Sequence, residues 1–218
     1  MESKSKDADN ILEICTRREF AMKYNFVISS FGRILNGLIR KSIKDKKTIK
    51  NVQMEYKDII LRAKDIGEKN IFVTSYAMGA YYLAMCRKTG LTPEENYKAL
   101  EKGIGKSKVF KAFLGTADSY LSDKKMNHRK VLAAETHKRI YENDWVWDIV
   151  DKDDQYDGGY DYTECGVCKL FADEGAFKLA KYVCKLDYVM FDMMGITLTR
   201  TKTIADGDDS CDFRFKKQ

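Results

Sequence analysis

Thiols are the most chemically capable groups in this sequence. Four of its six cysteines fall in its last quarter: Cys165-Gly-Val-Cys168, then Cys184, then Cys211. A reducing compartment keeps cysteines unpaired, so these are expected to be free, ligated to a metal, or reactive. A CxxC followed by two single cysteines has donors enough for a four-thiolate zinc site. Structural zinc sites generally bring a second tight pair, however, and the sequence has none, so no metal or other cofactor is expected, with zinc as the alternative. Cys184 has a plainer reading as a small apolar residue on an amphipathic helix. Elsewhere the chemistry is thin. His128 and His137 are the only histidines, and a metal site built on them would need carboxylates or thiolates as well. Gly103-Ile-Gly105-Lys106-Ser107 resembles the end of a phosphate loop, but Leu100 stands where that loop requires glycine and no strand precedes it. HExxH, GxSxG and GxGxxG are all absent.

The elements that must position these cysteines read as helices first and strands later. Apolar residues recur at three- and four-residue steps from Asp9 to Ile43, including Ile11, Leu12, Cys15, Phe31, Leu35 and Ile39, again from Val52 to Ile66, and again from Tyr76 to Met85. Thr92-Pro93-Glu94-Glu95 is a helix start, with Gly103 and Gly105 expected to end that helix. Further helices are predicted over Val109–Leu121 and His128–Tyr141. The pattern then changes. Trp145 to Val150 is dense in β-formers, the Asp-rich run Asp151–Asp161 is a turn, and Tyr160–Val167 reads as the returning strand. Ala176–Met194 is helical with Gly195 as its stop, while Ile196–Thr203 and Cys211–Phe215 alternate with period two. The fold class is therefore α+β: a helical N-terminal half, then a small antiparallel sheet of about four strands with a packed helix. The boundary divides a helical region, residues 1–125, from an α+β region, residues 126–218, with one integrated domain as the alternative.

Four separated pieces of that second region resemble the L-2-amino-thiazoline-4-carboxylic acid hydrolase family of bacterial proteins. They are Cys165 ten residues before Gly175, Cys184-Lys-Leu-Asp187, Leu198-Thr-Arg-Thr-Lys-Thr203, and Gly207-Asp-Asp-Ser-Cys211-Asp-Phe-Arg214. Cys168 is extra relative to the family pattern. The resemblance implies a hydrolase that opens a cyclic C–N bond in a 2-aminothiazoline ring, giving a carbamoyl-cysteine on the way to cysteine. Such a reaction needs a grip on the substrate carboxylate, for which Arg200 is suited because guanidinium offers two parallel hydrogen bonds; the plainer reading pairs Arg200 with Asp187 or Asp212. It also needs an activated nucleophile. Cys165 or Cys211 could attack as thiolate, or Asp187 or Asp212 could activate a water if burial raised its pKa. Thr201 or Thr203 could hydrogen-bond either group, and Cys184 stands beside them. If the two hairpins share one sheet under the Ala176–Met194 helix, Cys165, Arg200, Thr203 and Cys211 converge near Cys184 and Asp187. The alternative is a non-catalytic small-molecule-binding or sensing protein on the same fold.

Charge and composition set the remaining bounds. The chain has 218 residues, 44% of them hydrophobic, with a single proline, which excludes disordered and collagen-like classes. Residues 1–130 carry a net +12 and residues 131–218 a net −6. The basic stretch Arg33–Lys50 lacks interleaved aromatics, so no nucleic-acid partner is expected. The longest uncharged run, Ile71–Cys86, is too short to span a bilayer. With charged residues throughout the first twenty and no signal pattern, the expected location is the cytoplasm and no membrane partner is expected. The expected partner is a small carboxylate-bearing substrate, and dimerisation through the N-terminal helices is an open expectation.

Overall fold

Each helix begins where the sequence supplies a cap and a buried stripe. The computed structural model describes residues 25–67 and 70–218, with side chains from residue 29. Helix α1 (Asn25–Ile39) presents Phe31, Leu35 and Ile39 inward, while the stretch around Ile11, Leu12 and Cys15 lies outside the described residues. Helix α2 (Lys46–Arg62) starts at Asp45, whose carboxylate accepts from the N–H groups of Lys47 and Thr48. Helix α3 (Val73–Lys88) is buried on every face from Tyr76 to Met85, as a helix at the centre of a layer must be. Helix α4 (Pro93–Gly105) opens with a capping box between Thr92 and Glu95.

Two expectations about this helical layer are corrected. Gly103 does not end α4. It lies inside the helix, where a Cβ would come within 2.8 Å of the Leu38 carbonyl oxygen, so glycine is what lets α4 cross α1 closely. The segment read as one helix over Val109–Leu121 is two, α5 (Lys108–Leu114) and α6 (Ala117–Tyr120), broken at Gly115, where φ is +84°. Helix α7 (Asp123–Thr136) follows and packs on the first strand.

The sheet contains β1 (Val146–Val150), β2 (Gly158–Glu164), β3 (Ile196–Thr199) and β4 (Cys211–Lys217) in the order β1-β2-β4-β3, all antiparallel. The last strand thus inserts between the second and third, and the β2–β4 ladder welds the two hairpins into one sheet. Trp147, Tyr160, Tyr162, Cys211, Phe213 and Phe215 point to the inner face, with Trp147 opposite Tyr162 and Tyr162 opposite Cys211. The outer face is polar: Asp161 pairs with Arg214 at 2.7 Å, the alternation expected of an antiparallel sheet with one wet side.

Two further boundaries differ from the sequence reading. The returning strand ends at Glu164, and Gly166–Asp173 is a helix, α8, whose buried Val167, Cys168, Leu170 and Phe171 follow helical spacing. Strand β3 stops at Thr199 rather than Thr203, because the Asp212 carboxylate accepts the N–H groups of Thr201 and Lys202 and draws them off the ladder. Helix α9 (Ala180–Met194), entered through a 3-10 turn and closed by left-handed Gly195, packs between the sheet edge and α4. Glu174, at the end of α8, accepts from Arg62 of α2 and Arg87 of α3 and clamps the two layers together. One hydrophobic cluster runs from Phe31 through α3 to Phe215. Among the described residues no helix is long and apolar enough to cross a membrane.

Candidate functional site

The inner face of the sheet, α9, the first turn of α3 and the α5–α7 segment border a half-open cavity of about 420 Å³. Aromatic and aliphatic side chains supply most of its wall, and polar groups converge in two clusters, the composition expected of a small-molecule site.

The first cluster joins α8, α9 and β4. Cys165 is the N-cap residue of α8. The Cys168 thiol, one turn on, donates to it, and despite its burial the N–H groups of Cys168 and Val167 also favour its anion, so its pKa lies below the ordinary thiol value. The nearby Cys165 and Cys184 sulfurs, together with burial, raise the Cys168 pKa far above the ordinary thiol value. Burial pushes Cys211 up to about 12 although the Ile204 N–H reaches its sulfur at 3.2 Å. Cys165 is thus drawn towards the anion, while Cys168 and Cys211 are held as thiols.

Asp187, on α9, presents its carboxyl to the same cavity. Burial raises its pKa to about 6, against the opposing pull of Arg200. Arg200 Nη1 donates to Asp187 at 3.2 Å and Nη2 to the Cys184 carbonyl at 3.1 Å. Its guanidinium lies over Phe213 at 4.9 Å and over Tyr188 at 5.2 Å, and its side chain is only 5% exposed. The aromatic seat and the two hydrogen bonds fix the fork in one orientation.

The second cluster comes from α6 and α7. Arg129 stacks on the Tyr120 ring at 4.1 Å, and its Nη1 donates to the Tyr120 carbonyl at 2.7 Å. Lys125 and His128 stand beside it on the cavity wall. Among the described residues no carboxylate pairs with Arg129.

Of the residues singled out from sequence, Cys165, Cys184, Asp187, Arg200 and Cys211 line this one cavity. Thr203 and Asp212 do not. Thr203 is buried, with its N–H donated to Asp208, and Asp212 is occupied with the backbone of Thr201 and Lys202. The second cluster escaped sequence reading, since nothing in the order of α7 marks Arg129 apart from its neighbours; His128 is exposed on that helix and borders the cavity. None of the five described cysteines forms a disulfide. Among the described residues no three or more His, Cys, Asp or Glu side chains are arranged to hold a metal ion. His137 instead meets Asp148 at 3.0 Å on the exterior.

Comparison with known proteins gives one match. A family model described as L-2-amino-thiazoline-4-carboxylic acid hydrolase covers residues 70–215, reaching upstream of the C-terminal pieces through α3 to α7. No curated protein and no solved structure matches the chain.

Proposed function

The chain belongs to the L-2-amino-thiazoline-4-carboxylic acid hydrolase family, and from that premise we propose that its cavity hydrolyses a cyclic C–N unit in a small carboxylate-bearing substrate. The observation that carries this reading is the meeting, in one largely apolar cavity, of an activated thiol at a helix start with a carboxyl whose pKa is about 6. Perturbed groups of complementary kind in one concave pocket are the usual mark of a reactive centre.

The roles follow from the chemistry of each group. Cys165 sulfur bonds to the ring carbon flanked by two heteroatoms, and one ring bond from that carbon breaks. The proton given up by the thiol ends on the departing heteroatom. Asp187, mostly ionised at neutral pH, then takes a proton from a water that attacks the sulfur-bound carbon. The carbon–sulfur bond to Cys165 breaks, and Asp187 returns the proton to that sulfur. One water is consumed and the protein is restored. Arg200 acts as a positioning residue, holding Asp187 and keeping positive charge beside the developing anion. With 2-aminothiazoline-4-carboxylate the opened product is a carbamoyl derivative of cysteine.

The test is incubation of purified protein with that compound, with the product followed by mass spectrometry as the gain of one water. Cys165→Ala and Asp187→Asn are each expected to lower the rate by about 100-fold or more. An unchanged rate in Cys165→Ala would leave Asp187 activating water directly. Saturable binding without any gain of water would overturn the hydrolase reading.

A further inference from the structure

Resting on that reading, we propose that the preferred substrate is larger than the bare aminothiazoline: a cyclic amidine or isothiourea carboxylate bearing an apolar group of aromatic size, with its carboxylate held by Arg129.

The first argument is one of room. A 2-aminothiazoline carboxylate has about nine non-hydrogen atoms. Granting each the about 30 Å³ that a whole water molecule occupies in the liquid, such a ring fills only about two thirds of the 420 Å³ cavity. The cavity wall includes Phe72, Trp145, Tyr162, Met190, Phe191 and Phe213. Space of that kind rewards an apolar substituent and gives nothing to a small polar ring.

The second argument concerns the anion. Arg200 is already satisfied, with its two terminal nitrogens on Asp187 and the Cys184 carbonyl and both neighbouring aromatic rings in place. To bind a second carboxylate it would have to release one of these partners. Arg129 meets no carboxylate among the described residues. It is half-buried and held in orientation by Nη1, which donates to the Tyr120 carbonyl and meets the Met126 sulfur at 3.6 Å, and by the Tyr120 and Tyr160 rings at 4.1 and 5.9 Å, and Lys125 and His128 flank it on the same wall. A guanidinium held in place with no anionic partner is preorganised for a carboxylate ligand.

The experiment titrates the intact protein with 2-aminothiazoline-4-carboxylate, its phenyl-substituted analogue and the decarboxylated form of that analogue. Binding is read from the fluorescence of Trp145 in the cavity wall, and ring opening from product mass. The phenyl analogue is expected to bind at least about 10-fold more tightly than the parent ring. Arg129→Gln is expected to weaken the phenyl acid by about 10-fold or more while leaving the decarboxylated compound unaffected, and Arg129→Lys to recover part of the loss. Thermal unfolding of both variants separates lost binding from lost folding, and the comparison of ligands on the unaltered protein tests the size argument without any variant. Equal binding and turnover of parent and phenyl compounds, insensitive to Arg129, would overturn this proposal and leave the hydrolase reading intact. Arg129-dependent binding of the phenyl acid with no turnover of any compound would do the reverse.

Discussion

Asp187→Asn isolates the electrostatic work done at the site. In the unfolded chain this carboxyl releases its proton near 3.8, whereas in the folded chain burial holds the proton to about 6. Between those values the native state binds more protons, so the carboxyl's contribution to stability falls as pH rises through the window. The cost is absent below the lower value and complete above the upper one. Two pH units at 1.36 kcal/mol each give about 3 kcal/mol. Asparagine keeps the shape and an acceptor for Arg200 but never ionises. Other groups, including Asp144, which burial also raises to about 6, titrate equally in both proteins and cancel in the difference. Urea unfolding of the two proteins from about pH 3 to about pH 7 is therefore expected to show the variant gaining about 3 kcal/mol on the unaltered protein across that interval. Ring opening by the unaltered protein should rise over the same range as the base form appears. An offset between the two stability curves that stays constant with pH would refute the burial of this carboxyl and with it the argument for its role.

The remaining predictions concern the frame. Gly103→Ala forces a methyl against the Leu38 carbonyl, which cannot rotate away, and should cost about 1–3 kcal/mol in urea unfolding. Gly37→Ala, on α1 with nothing near the new methyl, should instead stabilise by about 0.5–1 kcal/mol. Glu174→Gln should cost about 2 kcal/mol at neutral pH. Burial alone would raise the Glu174 pKa, but Arg62 and Arg87 outweigh it and lower it below 4.5. Its stabilisation is therefore present above that value and lost as pH falls, so the gap between variant and parent should close in acid.

Local signals in the sequence carried well wherever one residue's chemistry decided the outcome. The Thr92–Glu95 cap and the Gly195 stop act through neighbours within a turn, and both stand as read. The helix after Cys165 was obscured because valine and cysteine there favour a strand, while the buried spacing that makes it a helix depends on α3 opposite. Gly79 makes that packing close, since a Cβ there would meet Val167 at 3.2 Å. The early end of β3 depends on Asp212, eleven residues away from Thr201. The convergence of Cys165, Asp187, Arg200 and Cys211 was legible because all four fall within a compact run of sequence. Arg129 was not, since it meets that run only through the folded chain. The strand order, likewise, is fixed by which inner faces interlock and not by any single turn.

The insertion of β4 between β2 and β3 also has a kinetic meaning. Tyr162 must find Cys211, a non-local partner, before the inner face and the floor of the cavity exist. Closing so long a loop is entropically costly and slow compared with forming the helices. The ability to hold a ligand should therefore appear in a single late step of refolding, together with the fixed environment of Trp147, rather than growing gradually as the helices form.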